Sequence, residues 1–226
     1  MRTKSPSGST PHRRPGRPPG PDPRRPERLE QILEAACRAI LERGFPATRI
    51  ADVAAAARVS TGTVHYYFAT RDDVLIAALK WASARLFQRV EDSVQDAPRR
   101  RMAHLLAVQV PYPGPAREEY VLWIELWLRV LHQPDLLPQC EAISAQWRGY
   151  FRDIVRRGAE TGEFTPAAEP DEVADRLMAF GDGVGFETAL GYGWTSPERM
   201  HERIVAFASE QLGVPPEALI EQDGAA

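Results

Sequence analysis

Leu29, Ile32, Leu33, Ala36 and Ile40 fall three or four residues apart with Arg and Glu between them, the spacing that gathers apolar side chains on one face of a helix. This first helix runs from Glu27 to a stop at Gly44. Thr48 is placed to cap a short alanine-rich helix, Arg49 to Ala57, and Ser60 to cap a third, since short hydroxylated side chains satisfy the free N–H groups of a first turn. Three short helices so close together make a helix-turn-helix unit over 27–72. Longer periodic segments follow at 74–94, where Leu75, Ala78, Leu79, Ala82, Leu86 and Val90 form a stripe, and at 99–108, 120–131, 143–157, 171–190 and 197–212, with Pro111 to Pro115 as a breaker. No alternating pattern of strand length and no repeat of fixed period occurs. The expected fold is therefore all-α, with a larger helical domain over 73–213 and a C-terminal tail over 214–226.

The third helix departs from the usual pattern. An amphipathic helix ordinarily hides its aromatics and exposes Lys and Glu, yet STGTVHYYF, 60–68, carries hydroxyls, a glycine, an imidazole and three rings. With Ser60 as cap, Val64 and Phe68 turn inward onto Ile40, Ile50 and Val53, leaving Thr61, Thr63, His65, Tyr66 and Tyr67 on the outer side. Such hydroxyl and phenol groups bond phosphate oxygens and base edges, and Gly62 removes bulk where another backbone comes close. The competing reading is a core helix whose partly buried tyrosines find internal partners.

Charge and composition bear on that choice. The net charge of −3 conceals an asymmetry: residues 1–75 hold 13 Lys and Arg against 8 Asp and Glu, the remainder 15 against 23. A basic end suits a polyanion, and an acidic remainder is repelled from it. The first 26 residues, rich in Pro, Gly, Ser and Arg, lack the apolar groups needed to offset ordering entropy and read as a disordered basic arm, 1–26. Within it R-P-G-R-P, Arg14 to Pro18, is close to the Gly-Arg-Pro core of AT-hook peptides that enter the A·T minor groove; unspecific phosphate attraction is the alternative. The basic start has no apolar run behind it, and the longest apolar stretch, VLWIELWLRVL, is interrupted by Glu125 and Arg129, which predicts neither signal peptide nor membrane span. Cys37 and Cys140 lie far apart without the spacing of a disulfide framework or zinc site, and fit a reducing cytoplasm.

From Gly44 to Leu75, GFPATRIADVAAAARVSTGTVHYYFATRDDVL resembles the N-terminal domain of TetR-family transcriptional regulators, with its pattern G-aromatic-x-x-T followed by I/V-A-x-A-A-G-V-S-x-G-T-aliphatic-Y-x-Y/H-F-x-x-K-x-x-L. The resemblance implies contacts to double-stranded DNA from Thr48, at the start of the second helix, and from Ser60, Thr61, Gly62, Thr63, His65, Tyr66 and Tyr67 around the third. Arg71 stands where the family usually has a phosphate-reaching lysine. Two positions depart from the pattern. His65 replaces a common tyrosine, keeping a ring with a hydrogen-bonding group at shorter reach. Arg58 replaces the usual turn glycine, at a cost of about 1 kcal/mol if that residue is left-handed, and either recovers it on a phosphate or is simply solvated.

The resemblance also implies that the C-terminal helices form a homodimer and hold a small effector. Ala174, Gly181, Gly185 and Thr188 place small residues along one stripe of the eighth helix, and Met200, Ile204 and Phe207 form a seam on the ninth, so the two helices could pair with their copies; intramolecular packing is the competing reading. For the effector, Trp123 and Trp127 are four apart and can line one wall, with Trp81, Trp147, Phe151 and Phe180 from adjoining helices. Glu125 either snorkels toward Arg129 or turns inward as a polar anchor, and His104, Tyr112 and Tyr150 are further polar candidates. The expected ligand is predominantly apolar, and the fourth helix is expected to transmit its binding to the DNA-reading helices.

An enzyme is the rival from another class. G-x-S-x-G, P-loop and H-E-x-x-H motifs are absent, the five histidines are scattered, and GDGVG, Gly181 to Gly185, lacks the preceding strand of a dinucleotide fingerprint. No metal or cofactor is expected. The reading that emerges is a one-component regulator, a repressor that leaves a palindromic operator when its effector binds; an effectorless architectural DNA-binding dimer is the alternative.

Overall fold

In the computed structural model the described residues are 24–93 and 97–220, the side chains of 89–93 excepted. The R-P-G-R-P element and the basic arm up to residue 23 lie outside them. Among the described residues the fold is all-α, with no strand. Helix α1 (Arg25–Arg43), α2 (Ile50–Ala56) and α3 (Thr61–Tyr67) form the N-terminal unit, and α4 (Arg71–Ser93) leads out of it. Helices α5 (Pro98–Ala107), α6 (Pro115–His132), α7 (Leu137–Thr161), α8 (Pro170–Leu190) and α9 (Pro197–Leu212) make up the remainder. No helix among the described residues is long and apolar enough to cross a membrane.

Proline and glycine punctuate the larger part. Each of α5 to α9 carries Pro in its first two positions, where its fixed φ suits a helix and its missing N–H costs nothing. Pro115 therefore opens α6 rather than breaking the chain, so α6 and α7 begin earlier than their apolar periodicity alone predicts. The first turn of α6 is polar and carries no hydrophobic repeat. Residues 214–220 do not form a free tail either: Pro216–Leu219 is a turn of 3₁₀ helix packed on α5 and α9, with Leu219 fully buried.

The N-terminal unit is built on α1, whose Ile32, Ala35, Ala36, Ala39 and Ile40 are almost wholly buried. Alanines on this face let α4 approach closely, and α1 packs on α2, α4 and α6. Val53 and Val64 bury fully from α2 and α3, so the core runs without a break from the three short helices into α4 and α6. Gly158 on α7 has a tertiary reason: a methyl there would overlap the buried Phe164 ring.

Arg58, in the turn between α2 and α3, has φ +55° and is the one non-glycine with positive φ among the described residues. Its Cβ crowds the following carbonyl, a strain of order 1–2 kcal/mol. Arg58→Gly is expected to raise unfolding stability by about 0.5–1 kcal/mol, after allowing for glycine's larger unfolded-state entropy. A denaturation midpoint that is unchanged or lower would show that the arginine is not strained in solution.

Candidate functional site

Helix α3 is fixed by its cap. The Ser60 hydroxyl accepts from Thr63 N at 3.0 Å and lies 2.9 Å from Thr63 Oγ1. Val64 is buried and Tyr67 and Phe68 are half-buried against the core, whereas Thr61, Gly62, His65 and Tyr66 are exposed. Positions 61 and 65, and 62 and 66, are each one turn apart, so these four share a face. Tyr66 is 71% exposed, which leaves its phenol free of the core. A Cβ at Gly62 would meet only Ser60 Oγ, at an ordinary 3.6 Å, so nothing inside the chain requires glycine there. Tyr67 is turned toward α1, with its hydroxyl 3.5 Å from Arg25 O.

Two expected DNA contacts are spent inside the molecule. Thr48 is fully buried, and its hydroxyl is shared between Ala39 O (3.1 Å) and Gly44 O (2.8 Å). The cap of α2 is instead Arg49, whose N–H donates to Asp52 Oδ2 at 2.8 Å. Arg71 is likewise not a free cation. Its guanidinium donates to Thr48 O at 2.6 Å, to Phe45 O and to Asp72 at 2.9 Å, so it ties α4 to the loop before α2. The exposed Arg49 and Arg58 are the arginines that this unit leaves without an ion pair at α2 and its turn among the described residues, and sequence spacing pointed to Thr48 in place of Arg49.

Phe45 is the hub of a second set of contacts. Its ring lies under Arg71 (5.2 Å from the ring centroid) and Arg129 (5.0 Å). Its N–H donates to Glu125 Oε2 at 3.3 Å. Arg129 also donates to Asp72, and Gln133 Nε2 approaches the same carboxylate at 3.4 Å. Burial pushes the Asp72 carboxyl up, but these donors outweigh it and hold it below the ordinary carboxylate range. Glu125 thus faces the N-terminal unit and is not a ligand anchor. Helix α6 reaches Phe45 directly and meets α4 at Asp72, so α4 is not the sole contact between the two parts of the chain.

The opposite side of α6 lines a cavity of about 60 Å³. Tyr120, Trp123 and Trp127 come from α6, and Trp147 and Phe151 from α7. The Trp123 and Trp127 rings are stacked, with centroids 5.9 Å apart. Two carboxylates, Glu119 and Asp182, join this aromatic box. The Asp182 side chain has no cation or hydrogen-bond donor among the described residues, and burial pushes its carboxyl up to about 6. Tyr120 donates to the Asp182 backbone carbonyl at 3.0 Å, which holds the ring in the wall.

Several expected positions lie elsewhere. Trp81 faces Arg85, 4.9 Å from its ring centroid, and Phe180 stacks on Phe207 at 4.3 Å between α8 and α9. Neither lines the cavity, and His104, Tyr112 and Tyr150 do not line it either. The expected dimer stripe is largely internal. Ala174, Met200 and Ile204 are buried within the chain, and the Thr188 hydroxyl donates to Val184 O at 2.8 Å. A Cβ at Gly185 would overlap the Tyr120 hydroxyl, and one at Gly181 the Gln109 amide. Small residues do admit a close neighbour here, but the neighbour belongs to the same chain. Phe207 is half-buried and stays at the surface of the α8–α9 pair, where Phe186, Leu190, Tyr192 and Trp194 are exposed.

Sequence reasoning missed Asp182, Glu119 and Tyr120. The available signal was a carboxylate between Gly181 and Gly183 in the otherwise apolar run 177–186, an expensive place for a charge without a function.

Comparison with known proteins agrees with this geometry. Residues 32–78 match the family described as bacterial regulatory proteins, tetR family, and residues 98–213 match the BetI-type transcriptional repressor C-terminal family. The HTH-type transcriptional regulator BetI of Burkholderia mallei is 30% identical over 174 residues, covering 72% of this chain and 82% of that protein. PksA of Bacillus subtilis, also an HTH-type transcriptional regulator, is 28% identical over 169 residues, covering 73% and 80%. Among solved structures, a transcriptional regulator from Saccharomonospora viridis in complex with choline superposes with a TM-score of 0.75 at 28% identity, covering 83% of this chain and 98% of that one.

Proposed function

We propose that this chain, which belongs to the TetR family of transcriptional regulators and is not an enzyme, is a homodimeric repressor that reads a palindromic operator through α3 and releases it when a small organic cation enters the α6–α7 cavity. The observation that carries the effector class is Asp182, a half-buried carboxylate without a cation or hydrogen-bond donor among the described residues, set in a box of tryptophan and tyrosine faces. Aromatic faces attract cations through the negative potential of their rings, and a desolvated carboxylate strengthens the attraction. This replaces the expectation of a predominantly apolar effector. The choline held by the Saccharomonospora viridis regulator supports the same chemistry.

The second copy is assigned to the α8–α9 face that exposes Phe186 and Leu190, continued by the Tyr192–Trp194 ring pair. A dimer lets two α3 helices meet half-sites about 34–36 Å apart. Helix α6 couples the two events. One side holds the cavity wall, and Glu125 and Arg129 on another side hold Phe45 and Asp72, so a ligand that shifts α6 disturbs the seat of the N-terminal unit. The shift of the equilibrium is limited by the ligand's preference for the released geometry.

The test starts with a duplex selected from a random library on the full chain. Choline is titrated against tryptophan fluorescence and against operator binding, with 3,3-dimethylbutanol as its uncharged isostere. Choline is expected to quench saturably and to lower operator affinity, with the alcohol at least tenfold weaker. Equal binding of the two, or no response to either, removes the cation reading; failure to select any duplex at low salt removes the DNA reading.

A further inference from the structure

Helix α1 begins against the face that α3 exposes. The Arg25 guanidinium lies 5.9 Å from the centroid of the exposed Tyr66 ring, and the Tyr67 hydroxyl meets Arg25 O at 3.5 Å. Arg25 is itself exposed, and no carboxylate among the described residues pairs with it. The chain that precedes Arg24 is therefore joined to the fold at the edge of the α3 face, away from the effector cavity. Over residues 1–23 it carries five Lys and Arg against one Asp, with Arg13, Arg14 and Arg17 set around Pro15 and Gly16.

We infer that the DNA surface continues from α3 over the first turn of α1 and along residues 1–23, with Arg25 on a backbone phosphate and Arg13, Arg14 and Arg17 in the A·T minor groove that flanks each half-site. This rests on the α3 reading above and adds to it an outer element of the operator. The reach suffices. The segment from Arg17 to Arg24 holds Pro18, Pro19, Pro21 and Pro23, and a proline-rich chain extends about 3.1 Å per residue, so its seven steps cover about 22 Å. The flanking minor groove lies half a helical turn, about 17 Å, from the major groove that α3 enters. A·T tracts narrow that groove and deepen its negative potential, which draws guanidinium groups inward. The amino group of guanine obstructs the same floor. Gly16 lets the backbone lie close to it, and the prolines reduce the entropy lost when the arm is ordered.

A duplex selected on the full chain is given flanks of A·T, of G·C, or of inosine·C, whose minor groove lacks the guanine amino group while its major groove keeps the G·C pattern. Affinity is measured by anisotropy over a series of salt concentrations. The wild type is expected to bind the A·T and inosine flanks about tenfold or more tighter than the G·C flank. The full-length triple variant R13A/R14A/R17A is expected to bind all three flanks alike, with a salt slope smaller by about 2 or more, since each neutralised phosphate contributes roughly 0.9 and a dimer carries two arms. Arg25→Gln is expected to weaken binding about fivefold on every flank and to lower the slope by about 2, keeping the flank preference. A thermal melt of Arg25→Gln checks α1, and the triple substitution lies outside the described fold and tests the arm by itself. Equal wild-type affinity for the three flanks overturns the inference, as does a triple variant that keeps the preference or an Arg25→Gln variant whose slope is unchanged. In each of these outcomes the duplex is still bound, so the α3 reading stands. If no duplex is selected at low salt, that reading falls and the inference with it.

Discussion

Tyr66→Ala is expected to lower affinity for a selected operator by about 30-fold or more while changing unfolding stability by no more than about 0.5 kcal/mol. The ring is 71% exposed, and its intramolecular contacts are a T-shaped approach to Tyr67 at 5.1 Å and an Arg25 guanidinium 5.9 Å from its centroid. Both lie at the surface, where truncation costs little in stability. A base or phosphate contact is worth roughly 1–3 kcal/mol, and a symmetric dimer loses it twice, roughly 2–6 kcal/mol in total. Anisotropy at one fixed salt concentration measures the affinity, because salt alone moves such values by orders of magnitude. Sedimentation of the variant reports the dimer, and a thermal melt reports the fold. Thr63→Ala is a poorer test, since Thr63 also meets the Ser60 cap and would mix helix stability with DNA contact. Unchanged affinity in Tyr66→Ala, or its loss together with the dimer, would remove α3 from the proposed interface.

The exposed face of α3 was legible because three local signals coincide: the Ser60 cap, Val64 four residues on, and a run of groups too polar to be core. Thr48 misled for a reason that spacing cannot carry. Its hydroxyl returns to the end of α1, at Ala39 O and Gly44 O, because the loop after Gly44 folds back there. Arg71 was misread in the same way: an exposed cation at a helix start looks free until the carbonyls of Phe45 and Thr48 are brought beneath it. The glycines of α8 announced close packing correctly but not the identity of the neighbour, which is Tyr120 of α6 for Gly185 and Gln109 of the segment before α6 for Gly181 and is invisible in α8 alone. The sequence similarly showed a tryptophan wall at 123 and 127 but not the two carboxylates facing it, one of which arrives from a helix more than fifty residues away.

Asp182→Asn separates a ligand group from a structural one, because it should move two quantities in opposite directions. Burial raises the Asp182 carboxyl from 3.8 to about 6, with no cation to offset it. A carboxyl whose folded value lies above its unfolded value disfavours folding once it is charged. That penalty is complete above about pH 6 and is relieved as the pH falls from there toward 3.8. At pH 8 the asparagine variant is therefore expected to be more stable by roughly 1–3 kcal/mol, an advantage that shrinks below pH 6. Cation binding should respond in the other sense. The wild type binds through the charged form, so its affinity for choline or tetramethylammonium rises with pH through about 6 and levels off, changing about tenfold between pH 5 and pH 8. The variant should bind at least tenfold more weakly at pH 8 and show little of this pH dependence. A variant that is less stable at pH 8 would mean that Asp182 holds the fold through a partner. One that keeps wild-type cation affinity would mean that the head of the ligand rests on the rings and Glu119, with Asp182 facing the cavity but taking no part in binding.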